Sequence, residues 1–419
     1  MAYRNWRKWI SSKPWALKWF IIILFIRPMV DNFYYLKEIS PLASPLYWVG
    51  VLTPILCIIG ISQYRNVSLP IDRAFSVWST IIIVSIFSLL FVQESFILYV
   101  QNALKLTLPI FLYFFMRKFI RVKKDFEGIL ITFLYSSLIV VLIFLYELFV
   151  HPVNISYSRG LERWAGTFAD VMNYAIYICF GFLISLYFYL QKGNNDFGFK
   201  ISRNAIIIIS FLCVLALFKI KHTASYAVFL SILLLFISYL LVFRKFTAFF
   251  IIISLGIFYY FFGNQMFEES INPLVSRELQ VMQGSRPETQ GFHGRMVRWD
   301  YSWNLFNKSP IYAQMFGYTL SIENPDFLVG IGVHNDYFRI IFLTGYIGFL
   351  IFISMIIFFI VKIRQQVLYF KFLSYGFLLC LGLYAISTVP TYYPIFLYLI
   401  ISLFAYLALP VKPIKSNNE

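Results

Sequence analysis

Charge is scarce in this 419-residue sequence: Asp, Glu, Lys and Arg together make up 13% of it, about half the share of a soluble domain. That argues against an ordinary cytosolic enzyme, and the high apolar content excludes a disordered chain. Acids are the scarcer sign, 19 against 35 basic residues, which leaves a formal net charge of +16. On a soluble protein such an excess would suggest nucleic acid. Here the basic residues stand in short clusters between long apolar runs, so the charge reads as membrane topology instead. Cysteine is nearly absent. Cys57, Cys179, Cys213 and Cys380 each sit alone inside an apolar run, without disulfide or metal spacing, and read as small core hydrophobes. The four histidines, His151, His222, His293 and His334, are scattered one to a segment, not paired at i, i+4 as a metal site would want. Phosphate loops, dinucleotide glycines and acid-rich nucleotide-sugar motifs are missing, so a nucleotide substrate inside the cell is not supported.

Apolar length fills the space these absences leave: 60% of the residues are hydrophobic and 21% aromatic. A bilayer-spanning helix needs about 20 mainly apolar residues. Twelve runs meet that rule, near 15–30, 45–62, 74–93, 96–116, 127–150, 167–190, 204–219, 222–243, 246–264, 336–361, 369–388 and 391–409. They show no period-two alternation, so helices are preferred to an outer-membrane barrel. The first run follows Arg4, Arg7, Lys8 and Lys13 with no small-residue cleavage pattern after it, which predicts a retained helix. With the N-terminus inside, 21 of the 35 Lys and Arg fall on the inner side and 10 outside. An even number of spans with both termini cytoplasmic satisfies the positive-inside rule. The layout divides into helices 1–9 over 1–264, a long polar outer loop over 265–335, and helices 10–12 with a tail over 336–419. The first part of that loop, with Asn272-Pro273, Gly284 and Arg286-Pro287, reads as irregular surface.

Chemistry-bearing residues concentrate in 291–350. As a helix, the segment from Arg295 places Trp299, Ser302, Trp303 and Phe306 on one face, which predicts an aromatic stripe lying in the outer headgroup layer. Arg295 runs against the charge trend of the outer side, and a guanidinium is suited to gripping phosphate in a bidentate fork. His334 precedes the tenth run, with Asn335, Asp336, Tyr337 and Arg339 in the next turn, and is expected to cap that helix's inward stripe. A neutral imidazole is also the usual general base at neutral pH. Two further charges lie in spans. Lys105 is either a functional intramembrane cation or half of a buried pair with Asp170 or Glu147, and Arg27 and Asp31 are spaced to pair at i, i+4.

Taken in order, Gly294-Arg295, Trp299, Pro310, Gly317, His334-Asn335, Gly345 and Gly348 resemble the signature of the O-antigen polymerase and O-antigen ligase family of bacterial membrane glycosyltransferases. An earlier block through Arg163, Gly166, Thr167, Phe168, Asn173 and Ala175 is similar to a second family motif. One departure stands out: Tyr226 occupies the place where an Arg is expected at the start of the eighth run, and Lys219 or Lys221 supplies the cation instead. The resemblance implies an all-helical, glycosyltransferase-C-like polytopic fold in the bacterial inner membrane, with its active site on the periplasmic face. It implies a polyprenyl-pyrophosphate-linked glycan donor, no cofactor and no catalytic metal. Under it, Arg295 and His334 are the catalytic pair, and Arg163, Lys219, Lys221, Arg298, Trp299, Asn335, Tyr337 and Arg339 bind substrate. A polymerase would join lipid-linked repeats and would work with a partner that sets chain length; a ligase would transfer the glycan to lipid A core. The missing Arg at Tyr226 favours the polymerase. A lipid-linked oligosaccharide transporter is disfavoured, because repeat halves are not visible and the polar groups gather at one end.

Overall fold

The computed structural model describes residues 2–62, 70–89, 96–158, 161–191, 201–264, 267–287, 294–317 and 334–410. His293, and the stretches 288–293 and 318–333 of the long loop, lie outside the described residues. After an amphipathic helix α1 (Ala2–Ser11), the first apolar runs form α2 (Trp15–Asp31), α3 (Pro45–Ser62), α4 (Pro70–Leu89), α5 (Phe96–Phe119) and α6 (Lys123–Phe149). A short hairpin follows, β1 (Ile155–Ser158) and β2 (Leu161–Trp164), antiparallel with Ser156 opposite Arg163. Then come α7 (Val171–Gln191), α8 (Arg203–Ile220), α9 (Thr223–Phe243) and α10 (Lys245–Phe258). The loop region contributes α11 (Asn272–Met282), α12 (Arg295–Lys308) and α13 (Ile311–Phe316). The last three are α14 (Asp336–Arg364), α15 (Leu368–Ser387) and α16 (Pro394–Leu407).

Every one of the twelve apolar runs falls on a helix. Among the described residues seven of these, α3, α6, α7, α8, α9, α14 and α15, are long and apolar enough to cross a bilayer. Their outer sides carry bare hydrophobics, Leu142, Phe211, Leu234 and Leu350 among them. Exposed to water, such surface would cost about 25 cal/mol per Å²; against lipid the cost vanishes. The chain is a multi-pass membrane protein. Its axis is α7, buried along nearly its whole length and packed against α6, α8, α9, α15 and α16. All four cysteines are free and buried, as their isolation in apolar runs predicted.

The few acids at the basic ends of the helices are paired. Arg117 Nε donates to Asp72 at 2.9 Å, and Lys123 lies 3.4 Å from Glu127. Asp125 pairs with Lys13 and accepts the backbone N–H groups of Arg121 and Val122 at 3.0 and 3.2 Å. The Val122 bond satisfies a donor that the start of α6 leaves open, and the Arg121 bond holds the chain entering it.

Three expectations change. Asn272–Met282 is a helix where irregular surface was expected; Pro273 sits in its first turn, where the missing N–H costs nothing. The strands around Arg163 were not foreseen, since two four-residue segments carry too little periodicity to read. The aromatic face of α12 packs on protein, which its periodicity alone did not say. Phe306 is 1% exposed and packs on Phe342 and Tyr346, while Trp299 and Trp303 lie against Phe338. An apolar stripe beside a helix of comparable polarity buries itself in protein before lipid, because close packing adds dispersion contacts.

Glycine makes one close approach possible. Gly345 (φ 65°, ψ −175°) breaks the helical path of α14, and a Cβ there would stand 2.3 Å from the Met315 backbone. Gly317 returns the contact: its Cβ would lie 2.2 Å from the Leu343 carbonyl oxygen. That carbonyl accepts the Ser85 hydroxyl from α4 at 2.8 Å. The two glycines of the motif thus lock α13 into a kink of α14. Gly345→Ala is expected to cost at least about 3 kcal/mol, since its conformation is open essentially to glycine alone and the neighbour is backbone. Thermal unfolding of the purified variant checks this; unchanged melting would remove the packing argument.

Candidate active site

His334 stands just before α14 with φ 46°, half-buried, in a conformation that costs a non-glycine residue roughly 1–2 kcal/mol. Its neighbour holds it there. Asn335, not His334, caps α14: its Oδ1 accepts the N–H groups of Tyr337 and Phe338 at 3.0 and 3.2 Å, and its Nδ2 donates to the Ile386 carbonyl at 3.3 Å. Tyr337 donates its hydroxyl to the Gly382 carbonyl at 3.2 Å. Asn335 and Tyr337 therefore tie the start of α14 to α15, and strain at His334 is borne by a rigid support.

Two arginines of α12 act on this histidine through their charge. Burial, and then the charges of Arg295 and Arg298, hold the His334 imidazole below its ordinary value, while Asp170 pulls the other way. Arg295 is half-buried; burial and Arg298 lower its pKa against the opposing pull of Glu278 and Tyr393. It remains cationic, because a guanidinium starts so high. Arg163, on β2, is also half-buried, and its Nε has no hydrogen-bond partner among the described residues. Its pKa is lowered by burial and raised by Tyr226 and Asp170. Tyr226, at the position where the sequence lacked an Arg, thus belongs to the surroundings of Arg163.

Other expected residues are placed differently. Lys219 lies 5.1 Å over the Trp164 ring, next to Arg163 on β2. Lys221 ends α8 in the left-handed conformation, φ 47°. Trp299 packs 6.0 Å from the Phe338 ring. Arg339 is buried and committed: its Nε donates to Asp336 at 2.6 Å, it bonds Thr391, and its guanidinium stacks 4.1 Å from the Tyr392 ring. Among the described contacts, Lys105 is not paired with Asp170 or Glu147. Its ammonium lies 6.0 Å from the Tyr392 ring, whereas Glu147 accepts from the Val153 backbone and Asp170 from Tyr393. Arg27 and Asp31 pair at 3.0 Å, as their spacing predicted.

Sequence reasoning missed Asp170 and the turn at 390–393 as parts of this region. Asp170 accepts the Met172 N–H at 3.0 Å at the start of α7 and the Tyr393 hydroxyl at 3.2 Å, and its charge reaches both His334 and Arg163. Thr391 donates its backbone N–H to Asp336 at 3.0 Å. An acid directly ahead of an apolar run, and the pair Tyr392-Tyr393 after Pro390, were the available signals.

The fold defines a polytopic membrane protein in which a histidine at positive φ, just ahead of α14, feels the charges of Arg295, Arg298 and Asp170. Residues 202–353, about a third of the chain, match the family described as O-antigen ligase. The match contains α12, the kink of α14 and His334; Arg163 lies outside it. A comparison with curated proteins finds no match.

Proposed function

We propose that the chain is a membrane glycosyltransferase that moves a glycan from a polyprenyl-pyrophosphate carrier onto a sugar hydroxyl, with His334 as general base and Arg295 on the leaving group. The observation that carries this reading is a half-buried imidazole, held at positive φ ahead of α14, whose pKa is lowered by burial and by the charges of Arg295 and Arg298. As the C1–O bond breaks, negative charge grows on the pyrophosphate, and preorganised cations stabilise that charge most where water is excluded. The acceptor hydroxyl loses its proton to His334 Nδ1 or Nε2 as it attacks C1. One displacement inverts the anomeric centre. Arg163, Lys219, Lys221 and Arg298 assist on the phosphates, and Trp299 lines the approach. Asn335, Tyr337 and Arg339 hold the start of α14, where the reacting groups converge. In this reading twelve helices span the inner membrane in a glycosyltransferase-C-like arrangement, with both termini cytoplasmic and the loop 265–335 on the periplasmic side.

The acceptor we assign is a second lipid-linked repeat, which makes the chain a surface-polysaccharide polymerase; Tyr226, in place of an Arg, supports it. The family description favours a ligase acting on lipid A core as the second reading. A deletion strain examined by glycan gel separates them. Loss of the length ladder with single repeats still attached supports the polymerase. Loss of all attached glycan, with lipid-linked polymer accumulating, supports the ligase. A purified protein that moves labelled lipid-linked substrate across vesicles without forming new bonds overturns both.

The imidazole's low pKa sets a pH dependence. With the folded value below the ordinary 6.5, the base stays deprotonated through neutrality, and the acid limb of kcat/KM falls below the usual histidine range. Arg298→Gln removes one repelling charge, so that limb is expected to move to higher pH. A limb that does not move, measured with saturating acceptor, would detach Arg298 from His334.

A further inference from the structure

Helix α1 carries its aromatics and its charge on opposite sides, and packing inside the protein uses only the first. Trp9 is buried, and a Cβ on Gly128 of α6 would stand 2.4 Å from its ring. Trp6 donates its indole N–H to the Thr132 hydroxyl at 2.9 Å and sets its ring 5.2 Å from that of Tyr135. These contacts pin α1 along the first turns of α6. Arg4, Arg7 and Lys8, spaced i, i+3 and i+4, share the other face. All three are exposed, and none has an ion pair among the described residues.

A pocket of about 360 Å³ opens where α1 meets the start of α6. Lys8, Lys13 and Lys124 line it, against a single acid, Asp125. That acid is already engaged: it pairs with Lys13 and accepts the N–H groups of Arg121 and Val122. Lys8 and Lys124 are exposed and have no acid partner among the described residues. Three lysines against one carboxylate leave the lining two positive charges in excess. Amines gathered around one pocket repel each other, and an anion between them turns that repulsion into attraction.

The position of the pocket says which anion. Just beyond Lys13, Trp15 and Trp19 of α2 are exposed at i, i+4, and outward-facing Trp marks the headgroup level of a bilayer. The pocket stands at the first residues of a spanning helix 27 residues long, at the end away from the hairpin that carries Arg163. Basic pockets at that depth suit acidic lipid heads. We propose that this pocket binds the phosphate of an anionic membrane phospholipid, with Lys8 and Lys124 on its oxygens. One of these lysines belongs to α1 and the other to α6, so the phosphate bridges the two helices. Arg4 and Arg7 extend the positive face toward neighbouring heads. The inference does not depend on glycosyl transfer, since the pocket shares no residue with the surroundings of His334.

The full chain, stripped of lipid in detergent, is titrated with dioleoylphosphatidylglycerol and read by native mass spectrometry, with dioleoylphosphatidylethanolamine in parallel. Wild type is expected to hold phosphatidylglycerol at least about tenfold more tightly than Lys8→Gln/Lys124→Gln does. Phosphatidylethanolamine should show no such difference. Arg244→Gln/Lys245→Gln removes two exposed cations at the far end of α9 and is expected to bind as wild type does. Added phosphatidylglycerol should raise the melting temperature of wild type and of the α9 variant, and leave the pocket variant unmoved. Thermal unfolding without lipid shows that the variants are intact, and Lys124→Gln alone repeats the comparison with α1 untouched. Equal affinity in wild type and the pocket variants overturns the proposal. An equal loss in the α9 variant also overturns it, by assigning the binding to diffuse surface charge. Displacement of the lipid by equimolar glycerol 3-phosphate overturns the lipid assignment in favour of a soluble phosphate.

Discussion

Alanine at His334 is expected to lower glycan transfer by about 10²–10⁴-fold, the usual worth of a positioned general base. A sugar hydroxyl is too weak an acid to attack as alkoxide near neutrality, so its proton must leave as the new bond forms. The imidazole is prepared for that step in two ways: burial and the adjacent arginines keep it unprotonated, and the Asn335 cap fixes its position. Initial rates of purified His334→Ala with lipid-linked substrate measure the loss, with gel filtration in detergent showing that the variant is intact. Near-normal turnover would remove His334 from the chemistry. His334→Gly is the informative companion, because it relieves the positive φ at position 334; if it melts no lower than wild type yet is equally inactive, the loss belongs to the imidazole.

Arg295→Ala is expected to cost about 10²–10³-fold, or roughly 3–4 kcal/mol of transition-state stabilisation. Arg295 opens α12, half-buried beside Arg298 and His334. There it can meet a pyrophosphate whose charge grows during departure, and because the gain belongs to the transition state the loss should fall on kcat more than on KM. Arg295→Lys retains the charge without the two-pronged geometry and is expected to fall between wild type and alanine. Removal of Arg295 should also raise the His334 pKa by deleting a repelling charge, so the acid limb of the surviving activity moves up. Equal kcat in wild type and Arg295→Ala would reassign the leaving-group role, with Arg163 the next candidate on its half-buried, unpartnered Nε.

Sequence reading located the helices well because membrane spans announce themselves by composition over twenty residues, a signal that does not depend on partners. Arg295 and His334 are candidates on sequence alone, since a cation against the topological trend and a histidine at a helix start are local facts. The α12 aromatics share a face by periodicity, but periodicity says nothing about what covers that face, and the rings of Phe338 and Phe342 do so. Sequence reading missed Asp170 for the same kind of reason: the residue lies 164 positions from His334 in the chain, and only folding brings its charge to bear.

By itself, then, the sequence determined that this chain lives in a membrane, where its helices run, and which charges stand apart from the rest, because each follows from short-range composition. Tertiary structure decided the remainder. The kink at Gly345 exists because α13 presses its backbone against that point. Arg339 is drawn into the Asp336–Thr391–Tyr392 network, and the Lys105 ammonium comes to lie 6.0 Å from the ring of Tyr392. These outcomes depend on residues far apart in the chain arriving at one place, where burial and neighbouring charge fix the role each side chain can play.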